Sequence, residues 1–117
     1  MGFSKKSMSK PDEKRSFGRG GLKVAEVGGY TFGLGTFKPG WKWSKDVKPI
    51  VGTKSCQAHH VGYVLSGKMQ GVTDDGQKWS VKAGDLMDLE PGHDAWVVGK
   101  ENVVIIDITA AATYGKK

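Results

Sequence analysis

Apolar residues fall at alternate positions in short runs along most of this chain, and glycine-containing turns separate the runs. A period of two is the pattern of a strand with one buried face. Tyr30, Phe32, Leu34 and Thr36 share one side of a strand that Pro39-Gly40 ends. Trp41 and Trp43 alternate next, before a polar loop containing Pro49. The spacing then predicts strands over about 55–65, 68–73, 77–82, 85–89 and 95–98. Ser66-Gly67, Asp74-Asp75-Gly76, Ala83-Gly84 and Pro91-Gly92 stand between them, and Asp-Gly suits the positive φ of a hairpin turn. Residues 103–108, a β-branched run, read as a buried strand. Turns about every 8 to 12 residues predict an all-β sandwich or closed barrel. No segment predicts a helix longer than one turn, and 109–117 reads as a short terminal strand or a loop.

The N-terminal stretch breaks this pattern. Residues 1–21 lack hydrophobic periodicity and read as a flexible basic arm, leaving 22–117 as one domain. The net charge of +6 does not change that picture, because it is concentrated in the arm. Residues 1–23 hold seven Lys/Arg and two Asp/Glu, whereas the remaining 94 hold eleven and ten. With the body nearly neutral and no basic stripe interleaved with aromatics, nucleic acid is not expected as a partner. No apolar run approaches the roughly 18 residues that cross a bilayer. A single cysteine excludes an internal disulfide and fits a reducing cytoplasm.

Tyr63-Val64-Leu65-Ser66-Gly67, then Gly84-Asp85, then Pro91-Gly92 resemble the cupin superfamily over roughly residues 22–108. The segments Pro39-Gly40-Trp41-Lys42-Trp43-Ser44 and Pro91-Gly92-His93-Asp94-Ala95-Trp96 resemble one group of short single-domain cupins. The resemblance implies a jelly-roll barrel, the double-stranded β-helix, and brings no assigned reaction. It also implies where metal ligands would stand. Anchored on Gly67, the family's first motif puts its glutamate position at His60 and its histidine positions at Cys56 and Lys54. Anchored on Gly92, the second puts its proline position at Glu90 and its histidine position at Ala95. None of the four usual ligand positions holds its usual residue.

All three histidines and the only cysteine nevertheless lie in these two motif blocks. Alternation places Cys56, Ala58 and His60 on one side and His59 on the other. Cys56, His60 and His93 together would form a sulfur–nitrogen–nitrogen set suited to a divalent transition metal (Zn, Fe, Mn, Ni or Cu), with Asp94 or a water completing it. The alternatives are a thiol that fills the core, a histidine bonded to backbone and a turn histidine. Trp41, Trp43, Tyr63 and Trp96 are candidates for an aromatic pocket mouth, with Asp94 beside His93. Trp79 reads as core. Two functions follow: a barrel that binds a metal and a small organic ligand, or a metal-free small-molecule-binding barrel without chemistry. No residue is assigned a catalytic role. A homodimer is expected, formed by edge-strand pairing near 103–108.

Overall fold

The computed structural model describes residues 2–116 and places nine strands in two sheets. The strands are β1 (Glu13–Ser16), β2 (Gly20–Val27), β3 (Tyr30–Phe37), β4 (His60–Ser66), β5 (Lys68–Thr73), β6 (Lys78–Lys82), β7 (Leu86–Leu89), β8 (His93–Val98) and β9 (Val103–Asp107). A six-stranded sheet runs β1-β2-β3-β9-β4-β7, and a three-stranded sheet runs β6-β5-β8. Every pairing is antiparallel. The chain crosses between sheets after β4, after β6, after β7 and after β8. Sequence neighbours are therefore often on opposite walls of one core.

The facing walls explain the alternation in the sequence. Leu22, Val24, Phe37, Val64, Met69, Ala95, Val103 and Ile105 point inward and are buried. Their hydrophobic burial is the main force holding the two sheets together. Trp41, Trp43 and Val47 are buried in the same core cluster. Val47 separates two single-turn helices, α1 (Trp43–Asp46) and α2 (Lys48–Val51), where the sequence reading expects a polar loop. Among the described residues no helix is long and apolar enough to cross a membrane.

Three expectations need correction. Regular structure begins at Glu13, eight residues before the arm's expected end at 21, because β1 pairs with β2. Phe17 in the connecting turn is 1% exposed. The strand is silent in the apolar pattern because its inward residues, Glu13 and Arg15, are polar and neutralise each other. Arg15 Nε donates to Glu13 at 2.7 Å. Arg15 Nη2 also donates to Glu13, and the other three guanidinium hydrogens donate to the carbonyls of Ala111, Ala112 and Tyr114, tying the C-terminal segment to β1. That segment, read as a strand or loop, is a series of turns with Ala110, Ala111 and Tyr114 buried. Met1 and Lys117, in the expected arm and domain ranges, lie outside the described residues.

The second correction concerns the strand expected over 55–65, which starts only at His60. Residues 55–59 form an irregular approach held by one bridge, Cys56 to His93. The third concerns dimerisation by edge pairing at 103–108. β9 is bonded to β3 on one side and β4 on the other, so it has no free edge to offer.

Candidate metal centre

Backbone hydrogen bonds clip the loop carrying Cys56 to the first residue of β8. Cys56 N–H donates to the carbonyl of His93 at 2.8 Å, and Gly92 N–H donates to the carbonyl of Cys56 at 2.7 Å. The pairing sets the Cys56 and His93 side chains beside each other on the inner side. His60 enters from the opposite sheet, at the first position of β4, paired with Leu89 of β7. The His60 and His93 ring centroids are 5.3 Å apart. One donor atom from each of Cys56, His60 and His93 falls within 4.8 Å of the others.

The hydrogen bonds on the far side of each ring decide which nitrogen is free. His93 Nδ1 lies 2.7 Å from the carbonyl of Glu90. A carbonyl only accepts, so Nδ1 carries the proton and Nε2 is left as the donor atom. His60 Nδ1 lies 2.6 Å from Asp107 Oδ2, and the carboxylate fixes the same tautomer there. Asp107 is itself held, since its Oδ1 accepts N–H bonds from Thr109 at 2.9 Å and Ala110 at 2.8 Å. His60 Nε2 then faces Cys56 Sγ at 3.7 Å. Two ligands on one tetrahedral zinc, with Zn–S about 2.3 Å and Zn–N about 2.0 Å, are separated by about 3.5 Å. The Cys56–His60 spacing is close to that value. A carboxylate behind a ligating imidazole is the usual way such a ring is oriented and its basicity raised.

Without a metal the same groups form an ion pair. Burial pushes the Cys56 thiol up, but its contacts with His60 and His93 outweigh it and bring it from 9.0 to about 6. Burial pushes His60 down, yet its bonds to Asp107 and Cys56 outweigh that and bring it from 6.5 to about 9. Burial raises Asp107, but the bond and charge of His60 together with the N–H groups of Ala110 and Thr109 outweigh it, leaving the carboxyl below its ordinary value. Tyr114, packed edge-on to His60 with centroids 5.1 Å apart, is held well above 10 by burial and by the charges of Cys56 and Asp107. Thiolate and imidazolium therefore coexist near neutrality. In metal-free protein the ultraviolet thiolate absorbance should rise as pH increases through about 6, and Cys56→Ser should abolish the signal. A midpoint near the ordinary cysteine value would show that the pair does not form.

His60 and His93 border a mostly apolar cavity of about 50 Å³, and Cys56 is not among its lining residues. Phe37, Trp41, Trp43, Met69, Trp79 and Met87 form much of its wall, and no Lys or Arg lines it. Among the residues expected at a pocket mouth, Trp41 and Trp43 are on this wall. Tyr63, Asp94 and Trp96 are not, and this is a correction. Tyr63 is 41% exposed on the outer side of β4, because Gly62 and Val64 take the inward positions. Asp94 and Trp96 alternate with inward His93 and Ala95 on β8. Asp94 Oδ1 accepts the N–H of Ser44 at 3.1 Å, and Lys42 Nζ lies over the Trp96 ring. Asp94 therefore braces α1 from outside the barrel and does not complete the donor set.

His59 is exposed and pairs with Asp88 at 2.5 Å, on the outside where alternation places it. Sequence reasoning missed Asp107, Tyr114 and the cavity role of Trp79. Asp107 had a signal, being the one acid within a run of β-branched residues that reads as buried. Tyr114 had none.

No family model and no curated protein matches the sequence. Solved structures do resemble the fold. A Rhizobium leguminosarum protein of unknown function is 21% identical, with TM-score 0.64, over 93% of this chain and 97% of that one. A Klebsiella pneumoniae protein with a double-stranded β-helix domain is 20% identical, with TM-score 0.57, over 92% and 84%. An oxalate decarboxylase from Lactobacillus farciminis is 13% identical, with TM-score 0.57. That match covers 87% of this chain and 32% of the enzyme. The fold is the cupin-type double-stranded β-helix, as the motif resemblance implies.

Proposed function

We propose that this barrel binds one divalent transition metal through Cys56, His60 and His93 and holds a small organic ligand in the adjoining cavity. The observation that carries the reading is the convergence of three donor atoms within 4.8 Å, with both imidazoles oriented from behind. A thiolate with two imidazoles suits zinc, iron or copper better than manganese, which prefers oxygen donors. Three protein ligands leave a position open for water or a ligand atom, the arrangement of reactive rather than structural zinc sites. A metal bound there supplies Lewis acidity to whatever occupies that position. The chain's own residues set the ligand's character. The wall is mostly aromatic and apolar, and no Lys or Arg lines it. The indole N–H groups of Trp41 and Trp79 are buried without a partner, so the fitting ligand is largely apolar and carries hydrogen-bond acceptors.

A second reading is a metal-free barrel that binds the same class of ligand, favoured by the ability of Cys56 and His60 to satisfy each other as an ion pair. Elemental analysis of untagged protein separates the two. About one transition metal per chain is expected, falling to background in His60→Ala, with chelation lowering the melting temperature by several degrees. Metal content that is negligible, or equal in the variant, would leave the metal-free barrel.

A further inference from the structure

We propose that the outer face of the six-stranded sheet is an interface with a second copy of this chain, packed face to face about a two-fold axis parallel to the strands. The register of the sheet carries the argument. Leu34 pairs with Ile106, Ile106 with Tyr63 and Tyr63 with Leu86, so one straight apolar row crosses β3, β9, β4 and β7. These residues alternate with Gly35, Ile105, Val64 and Met87, which face the core or the cavity. Toward β7 the row is open to solvent, with Tyr63 41% and Leu86 82% exposed, while Leu34 and Ile106 are half-buried. On the same outer side Leu65 is 48% and Ile108 51% exposed, so the apolar surface widens beyond the row. Four strands about 4.8 Å apart and six residues long at about 3.3 Å each give a face of roughly 400 Å² in plan. The exposed apolar side chains on that face form a contiguous patch of the kind that is often functional on a soluble protein. Tyrosine at its centre is the residue type that anchors such contacts.

Charge selects a second copy as the occupant and selects its orientation. Toward β1 the row ends in basic residues, since Leu34 pairs with Lys23 and Lys23 with Lys14. At the opposite edge β7 presents Asp88 outward, paired with Val61. No charged side chain projects outward from β3, β9 or β4 between these ends. Rotation about an axis along the strands reverses the row and sets the lysine end of one copy against the Asp88 end of the other. Rotation about the row itself would stack lysine on lysine. The patch is therefore complementary to itself in only one of the two face-to-face arrangements.

Sedimentation of the full chain over a wide concentration range tests this. The wild type should sediment at twice the chain mass. Tyr63→Glu and Leu86→Glu, both at exposed positions, should shift the monomer–dimer midpoint at least 100-fold upward while the circular dichroism spectrum is retained. Lys23→Glu and Asp88→Lys should each weaken association, and the double variant should recover most of it. A wild type that stays monomeric at the highest concentration overturns the proposal. So does a dimer that neither glutamate substitution weakens, or a charge swap that fails to recover association in a dimer the single changes disrupt.

Discussion

His93→Ala is expected to lower metal affinity by more than 100-fold, measured by competition with a chromophoric chelator. The substitution removes one of three protein donors, and the other two cannot replace it. Asp94, the nearest acid in sequence, is committed to the N–H groups of Ser44 and Ala95 on the outside of β8. Asp107→Asn gives the graded comparison. It leaves all three donors in place but removes the charge that holds the His60 ring and raises its basicity. Outer partners of this kind typically contribute about 10–100-fold to affinity. The order His93→Ala, then Asp107→Asn, then wild type is the signature of a ligand set with a supporting carboxylate. Equal affinity in all three proteins would place any bound metal elsewhere.

Gly62→Val is expected to destabilise the fold by at least about 3 kcal/mol, read as a shift in the urea midpoint. Gly62 pairs with Asp107 across β4 and β9, and a Cβ there would lie 2.2 Å from the Ile106 carbonyl oxygen. The carbonyl carbon at 3.1 Å and the Asp107 Cα at 3.3 Å are also backbone, so no flexible side chain can yield. The strands must separate, and His60 and Asp107 would move with them. Gly84→Ala is the contrast, since a Cβ there meets nothing within 4 Å and only the positive φ of 96° opposes it. Its cost should be limited to roughly 1–2 kcal/mol of backbone strain. If both variants unfold at the same urea concentration, the close approach at Gly62 is not what joins β4 to β9.

Much of the barrel was legible because strands announce themselves locally. Alternation shows in a single strand wherever one face meets the core, and glycine or Asp-Gly marks the reversals. β5, β6, β7 and β9 fall close to their expected positions for that reason, and β3 does so although its alternating Tyr30, Phe32 and Leu34 face outward while Gly33, Gly35 and Phe37 face the core. β1 escaped because its inward pair is Glu13 with Arg15, which neutralise each other through space and leave no apolar trace. The two single-turn helices escaped because each depends on the buried Val47 between them more than on any helical period.

The candidate site divides in the same way. The likeness of the two motif blocks was enough to single out Cys56, His60 and His93 as candidate donors, and the structure brings them together. The same alternation rule placed His59 outside, and applied to β4 and β8 it would have placed Tyr63, Asp94 and Trp96 there too. What could not be read from one strand was company. Asp107 reaches His60 through the β4–β9 pairing, and Tyr114 reaches it because Arg15 holds the C-terminal carbonyls. Both contacts join residues about fifty positions apart along the chain. Periodicity is a property of neighbours in sequence and survives without a partner strand. Ring tautomers, the thiolate and the cavity depend on which strands pair and in what register, so they exist only once the two sheets have closed.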